Sequence, residues 1–448
     1  MGKREGLRSE QPPIPKQMPV LRSLELQGGP PDQVMKIERA QDRITPWTRR
    51  RFLASAAVLC SAPLLAAQNS VIPSAAFDKC VEDFMKERDT PGGALAVVKD
   101  RRLVYARGYG WADRDQKLAA TPDSLFRIAS ISKPITSVAV LKLAEQNKLA
   151  LDARVFELLA LDAHLPKGAT LDERWRRVTL DQLLHHTGGW DRDKSKDPMF
   201  IAKEYLAKKF PDLPAGSVWA VIRHQLGQPL DFDPGTRYAY SNFGYCLLGR
   251  VIEKVTGQPY ERFVREAVLA PAGIKRTRLG RRVERAEGEV RYYIKNDDGA
   301  PEGVNLEAMD SHGGWISSAV DLARFAAALD DPRRSPLLKP SSFATMYAPP
   351  PPPAWRKKDG SLEDAYYGCG WLVRPVGRNG KANYWHNGEL SGTATLLVRR
   401  WDGLGWAVLF NQRSKDKHLP DGAIDSALHR AADLVTDWPM EDLFSHYS

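Results

Sequence analysis

Ser130 and Lys133 stand three residues apart where an apolar run, residues 126–146, begins. Side chains at that spacing share one face of a helix, so a hydroxyl and an amine can touch there. A serine hydroxyl near pH 7 attacks poorly until a neighbouring base takes its proton. Lysine does so only when burial or a cationic neighbour lowers its pKa. A helix start also offers unpaired N–H groups and the positive dipole end, both of which favour a developing oxyanion. Pro134 lacks an N–H and is tolerated only in a first turn, so regular helix is predicted from no earlier than about Ile131. By spacing alone, an ordinary helix start with a solvated lysine fits equally. Ser414-Lys-Asp-Lys417 repeats the pattern in a charged run that ends at Pro420.

Two more polar clusters extend the pair towards a site. In Asp233-Pro-Gly-Thr-Arg-Tyr-Ala-Tyr240-Ser-Asn242 a phenol and an amide follow a Pro-Gly turn, and short loops often carry function. Tyr240 can relay a proton to a leaving group, and Asn242 can hold a substrate amide or Lys133. The plainer alternative is a packed tyrosine and a turn asparagine. In Trp385-His386-Asn387-Gly388-Glu389, His386 can reach a substrate, Gly388 can let it approach the backbone, and the Glu389 N–H can join that of Ser130 as an oxyanion donor. His-x-Gly also occurs at His186-Thr-Gly188 and His312-Gly-Gly314; only His386 precedes a predicted strand.

The elements that must position these groups follow from periodicity. A helix is expected over 75–88, then strands 93–99 and 102–108 joined as a hairpin at Asp100-Arg101. Residues 149–299 read as mainly helical, with Thr179 as an N-cap. A helix over 318–330 precedes five prolines, 349–353, which are too stiff and donor-poor for anything but a loop. Strands are expected over 367–375, 382–385, 393–400 and 405–411, with a last helix over 421–435. Strands at both ends and helices between predict an α+β domain over 68–448 whose sheet is completed by its termini. The sheet part spans about 75–148 and 301–448, the helical part about 149–300.

A chain of 448 residues with 43% hydrophobic content fits two or three domains, or one large domain with an insertion. Of the net charge of +10, residues 1–67 hold +5, from 11 Lys and Arg against 6 Asp and Glu. The remaining basic residues are scattered, which argues against a nucleic-acid partner. Cys60, Cys80, Cys246 and Cys369 show no Cys-x-x-Cys pair or zinc spacing and read as buried thiols once Cys60 leaves with a signal. Residues 1–47 read as disordered. Residues 48–67 combine Arg49-Arg-Arg-Phe-Leu53 with a short apolar run and a small-residue end, a twin-arginine-type signal. That predicts export to the periplasm or beyond. The run is shorter than the roughly 20 residues of a membrane span, so no span beyond the signal is expected. Met35 makes the better initiator for such a signal.

Ser130-Ile-Ser-Lys133, Tyr240-Ser-Asn242 and His386-Asn-Gly388, in that order, resemble the serine β-lactamase and penicillin-binding-protein superfamily in its class C-like branch. The stretches 183–188, 313–325 and 367–371 also look like that family, and the likeness covers nearly all of the chain after the signal. The resemblance implies a β-lactamase-like fold: an antiparallel sheet flanked by helices, a helical subdomain, and an active site in the cleft between them. It implies two-step hydrolysis of an ester or amide through a Ser130 acyl-enzyme, with Lys133 or Tyr240 as base and no metal or cofactor. D-peptides, β-lactams and carboxylic esters are the candidate substrates. Class C β-lactamases carry Lys-Thr-Gly in the third motif, so the neutral His386 departs from them and is similar to some D,D-peptidases, esterases and D-aminopeptidases of the family. The rival expectation is a non-catalytic module of the same fold that binds peptidoglycan or a related ligand. Gly-x-Ser-x-Gly, His-Glu-x-x-His and His-x-His-x-Asp patterns are absent from the sequence. Oligomeric state is not legible in it.

Overall fold

The computed structural model describes residues 71–295, 304–377, 379–414, 416 and 418–447. The expected extension over 1–47, the signal over 48–67 and Cys60 lie outside the described residues. Helix α1 (Pro73–Arg88) opens on a proline, whose missing N–H costs nothing at that position. Its Phe77, Val81, Phe84 and Met85 recur at helical spacing and bury one face. Strands β1 (Gly92–Lys99) and β2 (Arg102–Asp113) form the predicted hairpin. Asp100 and Arg101 at its tip both have positive φ, 50° and 70°, as a two-residue turn matched to strand twist requires.

The short strand β3 (Leu118–Ala119) edges one side of the sheet. Next come helices α2 (Ser132–Glu145), α3 (Asn242–Thr256) and α4 (Ala319–Ala328). Strands β4 (Tyr366–Tyr367), β5 (Leu372–Val376), β6 (Lys381–Leu390), β7 (Thr393–Arg399) and β8 (Leu404–Phe410) complete the sheet before helix α5 (Ala423–Leu434). The eight strands are antiparallel in the order β3-β2-β1-β8-β7-β6-β5-β4. β1 pairs with β8 from Gly93↔Phe410 to Lys99↔Leu404, so the first and last strands meet inside the sheet, as expected from the sequence.

Both faces of these strands are covered. Leu95 and Val97 join Trp406 and Val408 against α1 and α5. Ala94, Ala96 and Val98 face the opposite core with α2 and α4. The period of two thus feeds two cores at once. Helix α2 is buried on nearly every side, so its polar residues must find partners inside. Thr136 accordingly donates to the Ser311 carbonyl at 2.6 Å, and the Ser137 hydroxyl lies 3.1 Å from that of Tyr245.

The helical part is built from short pieces. Thr179 and Gln182 form a capping box that starts the helix Leu180–Leu184. Ser241 caps α3 by accepting the Gly244 N–H. A segment predicted as mainly helical also contributes the strand Arg278–Leu279, which pairs with Trp315–Ser317, itself paired with Phe126–Arg127. Two-residue strands are too short to show a period. That ribbon leads directly into the Ser130 turn. The predicted strand 367–375 is two strands, broken at Gly370, whose φ of 78° and close approach to Ser137 let the turn pack on α2.

The largest correction concerns β6. It runs on to Leu390 rather than ending at Trp385, so His386, Gly388 and Glu389 lie within a strand. Burial alternates through the segment, with His386, Gly388 and Leu390 in and Asn387 and Glu389 out. Cys80, Cys246 and Cys369 are free thiols, the last two fully buried. Among the described residues no helix is long and apolar enough to cross a membrane.

Candidate active site

A cavity of about 660 Å³ opens between the sheet and the helical part. Ser130 lies on its floor in the helical turn Ala129–Ile131, one step before α2. Ala129 has φ of 46°, a left-handed conformation that costs a residue with a Cβ roughly 1–2 kcal/mol. Its packing with Leu306, Met309 and Leu390 holds it there and fixes the half-buried Ser130 at the cavity wall.

Lys133, one turn on, is completely buried. Its Nζ lies 3.0 Å from Ser130 Oγ, 2.7 Å from Asn242 Oδ1 and 2.9 Å from the His312 carbonyl oxygen. Burial drives its pKa well below the lysine range, with Arg192 pushing the same way and Asp197 opposing. A neutral amine has two N–H donors and one lone pair. The two carbonyl-type oxygens take the donors, and the lone pair is left for the Ser130 proton.

Asn242 is the first residue of α3. Its Nδ2 donates to Asp197 Oδ2 at 2.6 Å, which turns Oδ1 towards Lys133. Asp197 also accepts the Met199 N–H at 3.0 Å, while burial pushes its carboxyl pKa up. Tyr240 completes the cluster. Its side chain lines the same cavity as Ser130, and its ring centroid is 4.7 Å from Lys133 Nζ. Burial raises its pKa well above the ordinary phenol value, so it stands as a proton donor. His186 pins both sides of that tyrosine: its carbonyl accepts from Ala239 N–H at 2.9 Å and its Nδ1 from Ser241 N–H at 3.1 Å.

On the opposite wall, β5 stops at Leu372↔Trp385, so β6 from His386 onwards is paired with β7 alone. His386 is 2% exposed, and burial, reinforced by Lys133, pushes its pKa down to about 3. Nδ1 lies 2.6 Å from the Asn387 carbonyl oxygen and Nε2 2.9 Å from the Tyr367 hydroxyl. A carbonyl only accepts, so Nδ1 carries the proton and Nε2 accepts from Tyr367. The His386 ring lines the cavity, with both nitrogens engaged within the protein. The reading of Gly388 changes. A Cβ there would sit 2.1 Å from the Ile128 carbonyl oxygen, so the glycine lets the Ser130 turn dock on β6. Glu389 lines the cavity with Ser130.

The Beta-lactamase family model matches residues 77–429, the span that carries this whole arrangement. The chain belongs to that family. Protein flp of Staphylococcus aureus (strain MW2) is 30% identical over 201 residues, covering 45% of this chain and 37% of its own length. The chain thus spans little more than a third of that relative. Penicillin-binding protein 4* of Bacillus subtilis (strain 168) is 24% identical over 363 residues, covering 77% of this chain and 73% of its own length. Among solved structures, the D-amino acid amidase of Ochrobactrum anthropi SV3 complexed with L-phenylalanine amide superposes with a TM-score of 0.62 at 23% identity. That match covers 81% of this chain and 98% of the amidase, and it establishes a shared fold.

In this beta-lactamase family member, sequence reasoning paired Ser130 with Lys133 and placed Tyr240 and Asn242 beside them, and the structure brings all four together. It passed over Asp197, His186 and His312. The last two sit in the His-x-Gly triplets set aside as repeats of His386. Asp197 carries the cap signature Asp-Pro at a turn start, which reads as structure rather than chemistry. Among the described residues, no group of three or more His, Cys, Asp or Glu side chains can hold a metal ion.

Proposed function

We propose that this chain is an exported serine hydrolase that cleaves an ester or amide through an acyl-enzyme on Ser130. The observation that carries the reading is Lys133 Nζ, fully buried and 3.0 Å from Ser130 Oγ, with its other two contacts to pure acceptors. Ser130 Oγ passes its proton to neutral Lys133 and attacks the carbonyl carbon. The oxyanion is held by the N–H groups of Ser130 and Glu389. Tyr240 donates its proton to the leaving nitrogen or oxygen as the bond to carbon breaks, and Lys133 restores it. Water then attacks the ester along the same proton path in reverse.

The neutral His386 supplies no charge to a β-lactam carboxylate, which favours D-peptides, D-amino acid amides and carboxylic esters over β-lactam turnover. The amidase of shared fold supports the amides as candidates. Export rests on the signal-like segment 48–67. Labelling with a fluorophosphonate followed by peptide mass spectrometry tests the reading. A tag on Ser130 that disappears in Ser130→Ala is expected; a tag elsewhere, or no turnover of any ester or amide in a panel of these substrates, would leave a binding module of the same fold.

A further inference from the structure

Resting on that hydrolase reading, we infer that the His312 imidazole holds the water that hydrolyses the Ser130 acyl-enzyme. In the first half of the reaction Lys133 takes the Ser130 proton, Asn242 fixes Lys133, and Tyr240 serves the leaving group. The water of the second half has no holder among them. Among the described residues four histidines are buried: His185, His186, His312 and His386. Both nitrogens of His185 lie within 3.4 Å of carbonyl oxygens, and both of His386 are engaged. His186 accepts the Ser241 N–H at Nδ1, packs its ring on Tyr240, and is not among the residues lining the cavity. His312 differs from all three. It borders the cavity with Ser130, yet neither Nδ1 nor Nε2 has a hydrogen-bond partner among the described residues.

A buried imidazole with both nitrogens unpaired forfeits the hydrogen bonds it makes in water, so the fold keeps it at a cost that a later partner offsets. Its main chain is fixed beside the base, because the His312 carbonyl oxygen lies 2.9 Å from Lys133 Nζ. Burial, with Lys133 and Arg250 pushing the same way, holds the His312 pKa well below the histidine range. The neutral ring has one N–H and one lone pair. That lone pair accepts one O–H of a water and leaves the lone pairs on the water oxygen free to attack. A buried water needs about two to four polar partners, and His312 and Tyr240, both on the cavity wall, supply two. The water oxygen bonds to the acyl carbon as the bond from that carbon to Ser130 Oγ breaks. One water proton passes by way of Tyr240 and Lys133 to Ser130 Oγ. The other stays on the attacking oxygen, held against His312, and leaves with the acid.

The test separates the two halves of the reaction. The protein is mixed with p-nitrophenyl acetate, and rapid-quench mass spectrometry follows the acetyl group on Ser130 as it appears and decays. His312→Ala should slow the decay about tenfold or more, so that acetyl-enzyme accumulates, while its appearance slows no more than about threefold. His312→Gln keeps an acceptor and a donor at similar reach and disturbs packing less, and it should regain most of the decay rate. Decay within about twofold of the parent in His312→Ala, equal slowing of appearance and decay in both variants, or a glutamine variant as slow as the alanine one overturns the inference. Those results leave Ser130 as the nucleophile. A parent protein that never carries an acetyl group on Ser130 is the separate failure of the hydrolase reading, and the inference falls with it.

Discussion

Replacing Asp197 with asparagine changes one atom type in a residue that does not touch Ser130, yet it should slow acylation. The carboxylate accepts two N–H bonds, at 2.6 Å from Asn242 and 3.0 Å from Met199, and thereby dictates which way the Asn242 amide faces. In the Asp197→Asn protein that charge-assisted bond becomes a neutral one and the Asn242 amide is free to flip, which would present an N–H to Lys133 in place of an acceptor. Loss of one such bond is worth about 1–2 kcal/mol. Carried into the barrier, that is roughly a 5- to 30-fold fall in kcat/KM. The pH profile supplies the sharper readout. The active form has Lys133 neutral, so the rate rises as pH passes the Lys133 pKa. Burial depresses that pKa and the Asp197 charge partly offsets the depression. Removing the charge lets it fall further, and the acid limb of kcat/KM should move to lower pH. Stopped-flow acylation with a chromogenic ester across roughly pH 4–9 measures both quantities. An acid limb that stays put or moves upward, or a rate within twofold of the parent, refutes the relay from Asp197 through Asn242 to Lys133.

Lys133→Ala should reduce acylation by far more than tenfold; a rate within about tenfold of the parent, some 1.4 kcal/mol of barrier, would show that another group is the base. Gly388→Ala forces a methyl to within 2.1 Å of the Ile128 carbonyl oxygen, so the Ser130 turn must lift from β6. A stability loss of about 1–3 kcal/mol by urea unfolding, together with a large fall in kcat, is expected; an unchanged urea midpoint would show that the turn docks elsewhere. Tyr367→Phe leaves the His386 Nε2 buried without a donor, at a cost of about 1–3 kcal/mol in the same assay; no loss would mean that Nε2 has another partner.

Local order made the Ser130–Lys133 contact legible. Ser130, Lys133 and Pro134 lie within one turn, and their spacing alone fixes which side chains meet. The hairpin tip at Asp100 and Arg101 was equally local. What the sequence hid is nonlocal. Asp197 is tied to Lys133 by hydrogen bonds through Asn242, from a loop of charged residues whose composition suggests solvent exposure. His312 acts through its carbonyl oxygen and His186 partly through its own, and a carbonyl oxygen carries no sequence signature. The triplet His386-Asn-Gly388 concealed a strand because its residues have low β-propensity, and only pairing with β7 imposes the extended form.

The seam between β1 and β8 has a consequence for biosynthesis. Both strands are buried along nearly their whole length, and each presents one of its edges to the other. A nascent chain that has not yet delivered residues 404–410 leaves the inner edges of β1 and β7 bare, and exposed strand edges invite association with other chains. The seam between β1 and β8 can therefore close only after residues 404–410 have left the ribosome, and with it the sheet on which the Ser130 turn rests.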